Sequence, residues 1–421
     1  MSEHNESFDD FFGEVDSSIP TPEELEDSEA SYTDGGKPSE VIYRSQSIDI
    51  CGLIKRLDDG KIVVPSFSSN TNNDGIESEN FQRGYVWSKN QADRFIESVL
   101  LSYPIPGIFL VDQGSNEAGE KISKKLVLDG QQRLTTLRDF RNGTGHFTDK
   151  GLKNVSDALD FKDMKYDDLS EGLKELFDDT PIQTTIIRAK SDVEGYQVIY
   201  QIFERINTGG TKLLPHEIRI ATYAGKAVNF IQSLNEYKNW RILYNDKEEL
   251  DTVKHQRDHE LVLRILAFYF NNRLKYNHGN ALVKYSFKKP LKQFLNTFMD
   301  ILQNPQEEIQ EEVLKASEYF KQACDILLEY QNNKEIKHIL TLSDKSRTVS
   351  PGWTETIFYG TMSYIAKNTK TKVTLEKIAP YIDELVKEKG KAKFYNAASR
   401  SAGDPTSVKI RFEAAKKAFH I

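Results

Sequence analysis

From about residue 226 to the C-terminus, apolar residues recur at three- and four-residue intervals, and almost no stretch alternates apolar with polar as a half-buried strand does. The segments "HELVLRILAFYF", "LKQFLNTFMDIL", "EEVLKASEYFKQACDILLEY", "WTETIFYGTMSYIA" and "LEKIAPYIDELVKE" all carry the helical period. A chain that offers no strands over so long a stretch must bury its apolar stripes helix against helix. Residues 226–421 are therefore predicted to form an all-helical domain.

Residues 41–225 mix the two periods, which predicts an α+β domain. Ile48, Ile50, Leu53 and Ile54 predict a short helix near the start of ordered structure, and "KIVVPSF" a strand bounded by Gly60 and Pro65. "NQADRFIESVLLSY" is a helix stopped by Pro104 and Pro106. "GIFLVD" and "KKLVLD" are strands joined by the turn "SNEAGEKIS", and the helix that follows ends at "NGTG". "TPIQTTIIRA" is a β-branched strand, "DVEGYQVIYQIFERIN" a helix, and "TGGTKLLP" an interruption before "HEIRIATYAG".

Charge is unevenly distributed. Residues 1–40 hold 13 Asp and Glu against one Lys, while the remaining residues hold 51 acidic and 55 basic side chains. Composition predicts a disordered acidic leader over 1–40. Such a tail is a solvated spacer, or it folds over a basic face and competes with nucleic acid. No apolar run reaches the roughly 18 residues of a membrane span, and no secretory signal is present. Cys51 and Cys324 are the only cysteines, which excludes a disulfide framework and points to a cytoplasmic setting.

The stretch "LVLDGQQRLTTL" at 126–137 sets hydrogen-bonding groups where a strand hands over to a helix. Gly130 there permits a positive φ or a close backbone approach. A helix start offers N–H groups and a positive dipole end to an anion, and Arg133 can fork two hydrogen bonds onto a phosphate. Gln132, Thr136 and Asp139 share one helical face, with Leu134, Leu137 and Phe140 on the packing side. The alternative is that Asp129 caps the helix while the amides and Arg133 are solvated. Two further clusters sit at element ends: Gln82 and Arg83 in "FQRGYVW", and Arg205, Asn207 and Thr208 in "FERINTGGTKLLPHE".

Together with "ESVLLSYPIPGIFL" and "RDHELVLRILAFYF", these motifs resemble the N-terminal domain of GmrSD-type, modification-dependent restriction proteins, over about residues 41–270. "SRSAGDPTSVKIRFEAA" is similar to the ending of many stand-alone members. The resemblance implies a ParB/sulfiredoxin-like fold for 41–225. A more distant similarity to the CTP-binding domain of ParB partition proteins aligns Gln82–Arg83, Gly130–Arg133, and Arg205–Asn207 with Leu214, Pro215 and Glu217. It implies a nucleoside triphosphate and Mg²⁺ held by Gln82, Arg83, Gly130, Gln131, Thr135, Arg205, Asn207 and Thr208. Asp129, Gln132 and Arg133 would then be the catalytic group, with Asp129 also a metal ligand. The expected function is NTP binding and hydrolysis in anti-phage defence, acting on or sensing modified or phage DNA. A non-catalytic nucleic-acid-binding module, or a nuclease using the same pocket, are the alternatives. A homo-oligomer is also open to it.

No G-x-x-x-x-G-K-[ST] loop occurs, and "YNHGN" at 276–280 is too isolated to make a His-Asn-His nuclease, so a separate nuclease chain is the expected partner. His255 and His259, spaced i, i+4, are a weak two-ligand metal pattern. The stretch 387–417 has nine Lys and Arg against three acids, with Phe394, Tyr395 and Phe412 interleaved, and Lys284, Lys288, Lys289 and Lys292 form a second basic cluster. Each is a solvated helical face or a nucleic-acid contact.

Overall fold

The fold was obtained as a computed structural model, which describes residues 42–64, 85, 87–112, 124–157, 159–188, 193–206, 215–223, 225–245, 257–278, 281–288, 290–343, 348–370, 372–399 and 402–421. The predicted leader, Pro65, the "SNEAGEKIS" segment and residues 208–214 of "TGGTKLLP" lie outside them. Contacts divide the chain into two units that part at Gly225 and Lys226, with Pro215 and His216 grouped with the second.

In the first unit, β1 (Ile42–Asp49) runs into α1 (Ile50–Asp58), whose first turn is capped by the Asp49 carboxylate accepting from the Gly52 N–H at 2.5 Å. The helix is where Ile50, Leu53 and Ile54 put it, but Ile48, expected in it, belongs to the strand ahead, which is an addition. "IYRSQSID" has few apolar residues because it is an edge strand, paired on one side only with β5. β2 is Ile62–Val63, α2 is Lys89–Leu100, β3 is Ile108–Asp112, β4 is Lys125–Asp129 and α3 is Gln131–Asn142. α4 (Glu171–Asp179), β5 (Pro181–Arg188), α5 (Val193–Ile206) and α6 (Pro215–Thr222) follow. Ser88 and Gln91 close a capping box on α2, and Gly143, in the left-handed region, ends α3.

The strands form one mixed sheet in the order β1-β5-β3-β4-β2. β1 and β5 pair antiparallel, β5 and β3 parallel, β3 and β4 antiparallel with an irregularity at Phe109/Leu110, and β4 and β2 parallel. Ile108, Leu110, Val127, Ile182 and Ile186 from the sheet share a core with Ala92, Phe95, Ile96 and Val99 of α2 and Leu134, Leu137 and Phe140 of α3. Phe140 meets Phe147, Tyr166 and Phe177 edge to face, which fixes the end of α3.

The second unit holds α7 (Lys226–Asn235), α8 (Lys238–Asn245), α9 (Arg257–Phe270), α10 (Leu291–Gln303), α11 (Glu307–Asn333), α12 (Pro351–Lys367), α13 (Leu375–Lys389), α14 (Ala392–Ser399) and α15 (Pro405–Phe419). α9 and α12 are buried almost all round and pack on each other, as central helices do. The all-helical expectation needs correction. β6 (Lys275–His278) and β7 (Ala281–Lys284) form an antiparallel hairpin, so this part is mostly helical. Four-residue strands are too short for periodicity to register, although the Gly-Asn pair at 279–280 in the sequence is turn chemistry.

Burial bears on part of the side readings. Phe394, Phe412 and Arg411 are buried in the stretch 387–417, and Lys292 is buried in the other cluster, so those positions serve packing and not a solvated face. His259 shares Asp258 at 3.0 Å and Gln232 at 2.7 Å, and among the described residues no group of three metal-ligating side chains gathers. Burial raises the Asp258 carboxyl, but His259, Arg241 and Asn235 outweigh it and hold it well below the usual carboxylate range. His255 lies outside the described residues.

Candidate functional site

The strand-to-helix junction turns on Gly130, which takes φ 100° and ψ 10° as the N-cap of α3. A Cβ there would stand 2.9 Å from Ile108 Cγ1 and 3.3 Å from Arg133 Nη2, so both the backbone angle and the crowding exclude a side chain. The Gly130 carbonyl accepts from the Leu134 N–H at 2.9 Å, closing the first helical turn. With glycine as N-cap, no capping side chain competes for the first-turn N–H groups.

Asp129 is therefore not the cap. It is the last residue of β4, and its Oδ2 accepts from Arg133 Nη2 at 2.5 Å. The pair is unequally covered: the Asp129 side chain is 45% exposed and that of Arg133 14%. Arg133 Nε is buried and has no hydrogen-bond partner among the described residues. A guanidinium held by one corner beside an open carboxylate can turn its remaining donors toward an anion.

The "FQRGYVW" segment reaches the same helix through its aromatic end. The Trp87 N–H donates to Gln132 Oε1 at 3.3 Å, and its carbonyl accepts from His146 Nε2 at 2.8 Å, so that nitrogen carries the proton. The Thr136 hydroxyl donates to the Gln132 carbonyl at 2.7 Å, which leaves it to accept from the Tyr85 hydroxyl, also at 2.7 Å. Tyr85 lies edge-on to His146 and Trp87 edge-on to Phe95. Burial, aided by Asp139 and Asp93, pushes the Tyr85 phenol up to about 12. Thr136, read from the sequence as sharing a polar face with Gln132 and Asp139, is thus fully buried under Tyr85.

Behind this strap, Asp93 is fully buried. It takes Lys89 as ion partner and accepts from the backbone N–H groups of Lys153 and Asn154 at 3.0 and 2.9 Å. Lys89 also donates to the Gly151 carbonyl at 2.8 Å, which ties α2 to the segment after α3.

The structure joins Asp129, Gly130, Gln131, Gln132, Arg133 and Thr135 in one junction, with Gln131 and Thr135 half-buried in the first turns of α3. Arg205 is exposed in the last turn of α5, a helix that packs on β4. Gln82, Arg83, Asn207 and Thr208 lie outside the described residues. Tyr85, Trp87 and His146 were not singled out in the sequence. Aromatics two residues apart, ahead of a helix, were the available signal.

No described helix is long and apolar enough to cross a membrane. No curated protein matches the chain. Residues 65–224, which carry the whole junction and its aromatic strap, match the family model of the GmrSD restriction endonuclease N-terminal domain.

Proposed function

We propose that this restriction- or defence-type protein binds a nucleoside triphosphate at the Gly130 junction and hydrolyses it with Mg²⁺ in response to DNA. The observation that carries the reading is the half-open Asp129–Arg133 pair, set over a glycine at a helix start with no capping side chain. Arg133 gives Nη2 to Asp129 and keeps Nε and Nη1 for phosphate oxygens. The first-turn N–H groups and the helix dipole add positive potential at the same place. Gln132, pinned by the Trp87 N–H, keeps the start of α3 in one orientation.

Asp129 has two tasks in this reading. It orients Arg133, and its exposed carboxylate either holds Mg²⁺ through water or positions a nucleophilic water. Bound Mg²⁺ would supply charge neutralisation between phosphate oxygens. Gln82, Arg83, Thr135, Arg205, Asn207 and Thr208 would complete the phosphate and nucleotide contacts. DNA, modified or from phage, and a separate nuclease chain are the proposed partners.

The test is purified protein with each NTP and Mg²⁺, measuring nucleotide affinity and released phosphate with and without DNA. Saturable binding of one NTP, with release that DNA accelerates, is expected. If no NTP binds or turns over in either condition, the junction is a phosphate clamp of a nucleic-acid-binding module instead.

A further inference from the structure

No Asp or Glu occurs between Glu260 and Asp300, while seven Lys and Arg do. Three of the seven have structural work. Arg264 donates to the buried Glu355, Arg273 stacks on Tyr269 and donates to the Ser363 hydroxyl, and Lys292 is buried. Lys275, Lys284 and Lys288 remain exposed, and none makes an ion pair among the described residues. Two of these three lie on the β6–β7 hairpin.

The register of that hairpin sets Lys275 directly opposite Lys284, Tyr276 opposite Val283, and Asn277 opposite Leu282. Side chains alternate along a strand, so Lys275, Lys284, Asn277 and Leu282 share one face. Like charges facing each other across an antiparallel pair destabilise it, and a lone two-stranded hairpin is marginal in water even without them. Leu282 is 63% exposed as well. An arrangement unfavourable in isolation is explained by an anionic surface that the two lysines meet together.

The hairpin is nonetheless held firmly at its base. Tyr285 stacks on Phe294 with ring centroids 4.6 Å apart, and its hydroxyl donates to the Phe294 carbonyl at 3.0 Å. The Asn272 N–H donates to the Tyr285 carbonyl at 2.8 Å, and Asn271 Oδ1 accepts from the Phe287 N–H at 2.8 Å. Tyr276, on the opposite face from the lysines, lies edge-on to Tyr285. The ribbon is anchored at its base through Tyr276 and Tyr285, and all four β7 residues are exposed.

We propose that the β6–β7 hairpin is a DNA-contacting ribbon that enters the major groove of a duplex, with Lys275 and Lys284 on backbone phosphates and Asn277 and Leu282 toward base edges. A two-stranded ribbon fits the roughly 12 Å major groove of B-form DNA, whereas the deep, narrow groove of an RNA duplex excludes it. Four residues per strand give a ribbon about 14 Å long, enough to reach from the backbone into the groove. This surface lies outside residues 65–224 and does not depend on the nucleotide reading.

The full-length protein is titrated with a short fluorescent DNA duplex at several salt concentrations, beside a Lys275→Gln/Lys284→Gln double variant. Affinity is expected to fall about tenfold or more, and the slope of log affinity against log salt to become shallower by about 2. Thermal unfolding of the double variant should be unchanged or shifted upward, since two opposed charges are removed, which excludes misfolding as the cause. Lys387→Gln, which removes an exposed lysine paired with Glu384, should leave affinity unchanged. Four results overturn the proposal: no binding of duplex DNA, equal binding by the double variant, equal loss in Lys387→Gln, or preference for an RNA duplex or anionic phospholipid vesicles. Nucleotide binding is read separately, so its failure leaves the hairpin result standing.

Discussion

Glu355 lies between two guanidiniums, with Arg264 Nε at 2.5 Å and Arg411 Nη1 at 2.8 Å, and Glu355 and Arg411 are wholly buried. Arg411 also donates to the Gly352 carbonyl at 2.5 Å and to the Ala402 carbonyl. Asp129 and Arg133 use the same chemistry at 2.5 Å, but the Asp129 side chain is 45% exposed. In the first cluster every approach is filled by protein, so the charges have no other partner to exchange for. They lock α9, α12 and α15 into one arrangement, at the desolvation cost that any buried pair carries. The second pair sits where solvent or a ligand can replace one member. The same carboxylate–guanidinium pairing thus acts as a structural clamp in one unit and as an open contact in the other, and water access is what separates the two.

The sharpest test of this contrast is Glu355→Gln. It leaves two buried guanidiniums facing an uncharged amide and is expected to cost about 3–5 kcal/mol of stability. Urea unfolding followed by tryptophan fluorescence reads it, because the fully buried Trp240 and Trp353 report on the same unit. A loss below about 1 kcal/mol would mean that the buried cluster behaves like the open one.

Asp129→Asn should leave stability within about 1 kcal/mol, since the pair is half-exposed. Nucleotide binding should persist while turnover falls about a hundredfold or more, because an amide neither holds a cation well nor accepts a proton. Unchanged turnover would reduce Asp129 to a partner of Arg133.

For Arg133→Ala the expected loss is about 1.5–3 kcal/mol of nucleotide affinity with the fold retained, as circular dichroism and isothermal titration would show. Equal affinity in the variant would remove the triphosphate reading of the junction.

The smallest effect belongs to the strap. Tyr85→Phe deletes the hydrogen bond to Thr136 and should cost about 1 kcal/mol. The Tyr85 phenol is raised from 10.0 to about 12, so the folded state keeps a proton that the unfolded chain releases. Its contribution is full below pH 10 and is lost as pH rises toward 12. Tyr85→Phe should flatten that part of the alkaline unfolding curve, and an unaltered curve would mean that other tyrosines account for it.

Helices α2, α3, α5 and α9 to α13, and strands β3, β4 and β5, fall where the apolar periods put them. Period and punctuation are local properties: proline after α2 and glycine after α3 end those helices whatever surrounds them. The need for glycine at 130 was legible for the same reason, as was the clustering of Asp129–Arg133. The β1 and β6–β7 strands were not, because exposed or short strands have too little apolar surface to show a period.

What the sequence determined by itself was most of the helices, the buried strands β3 to β5, and which junction concentrates hydrogen-bonding groups beside a glycine. Only the tertiary structure decided what those groups face. It set the sheet order β1-β5-β3-β4-β2, brought Tyr85 and Trp87 onto α3, and buried Thr136, Lys292 and Arg411, all polar residues that a one-dimensional pattern assigns to solvent. It also turned Arg133 back onto Asp129 instead of leaving that carboxylate as a helix cap. The physical reason is that a side chain's period reports its own element's apolar face, whereas its burial and its partner depend on elements that arrive from far along the chain.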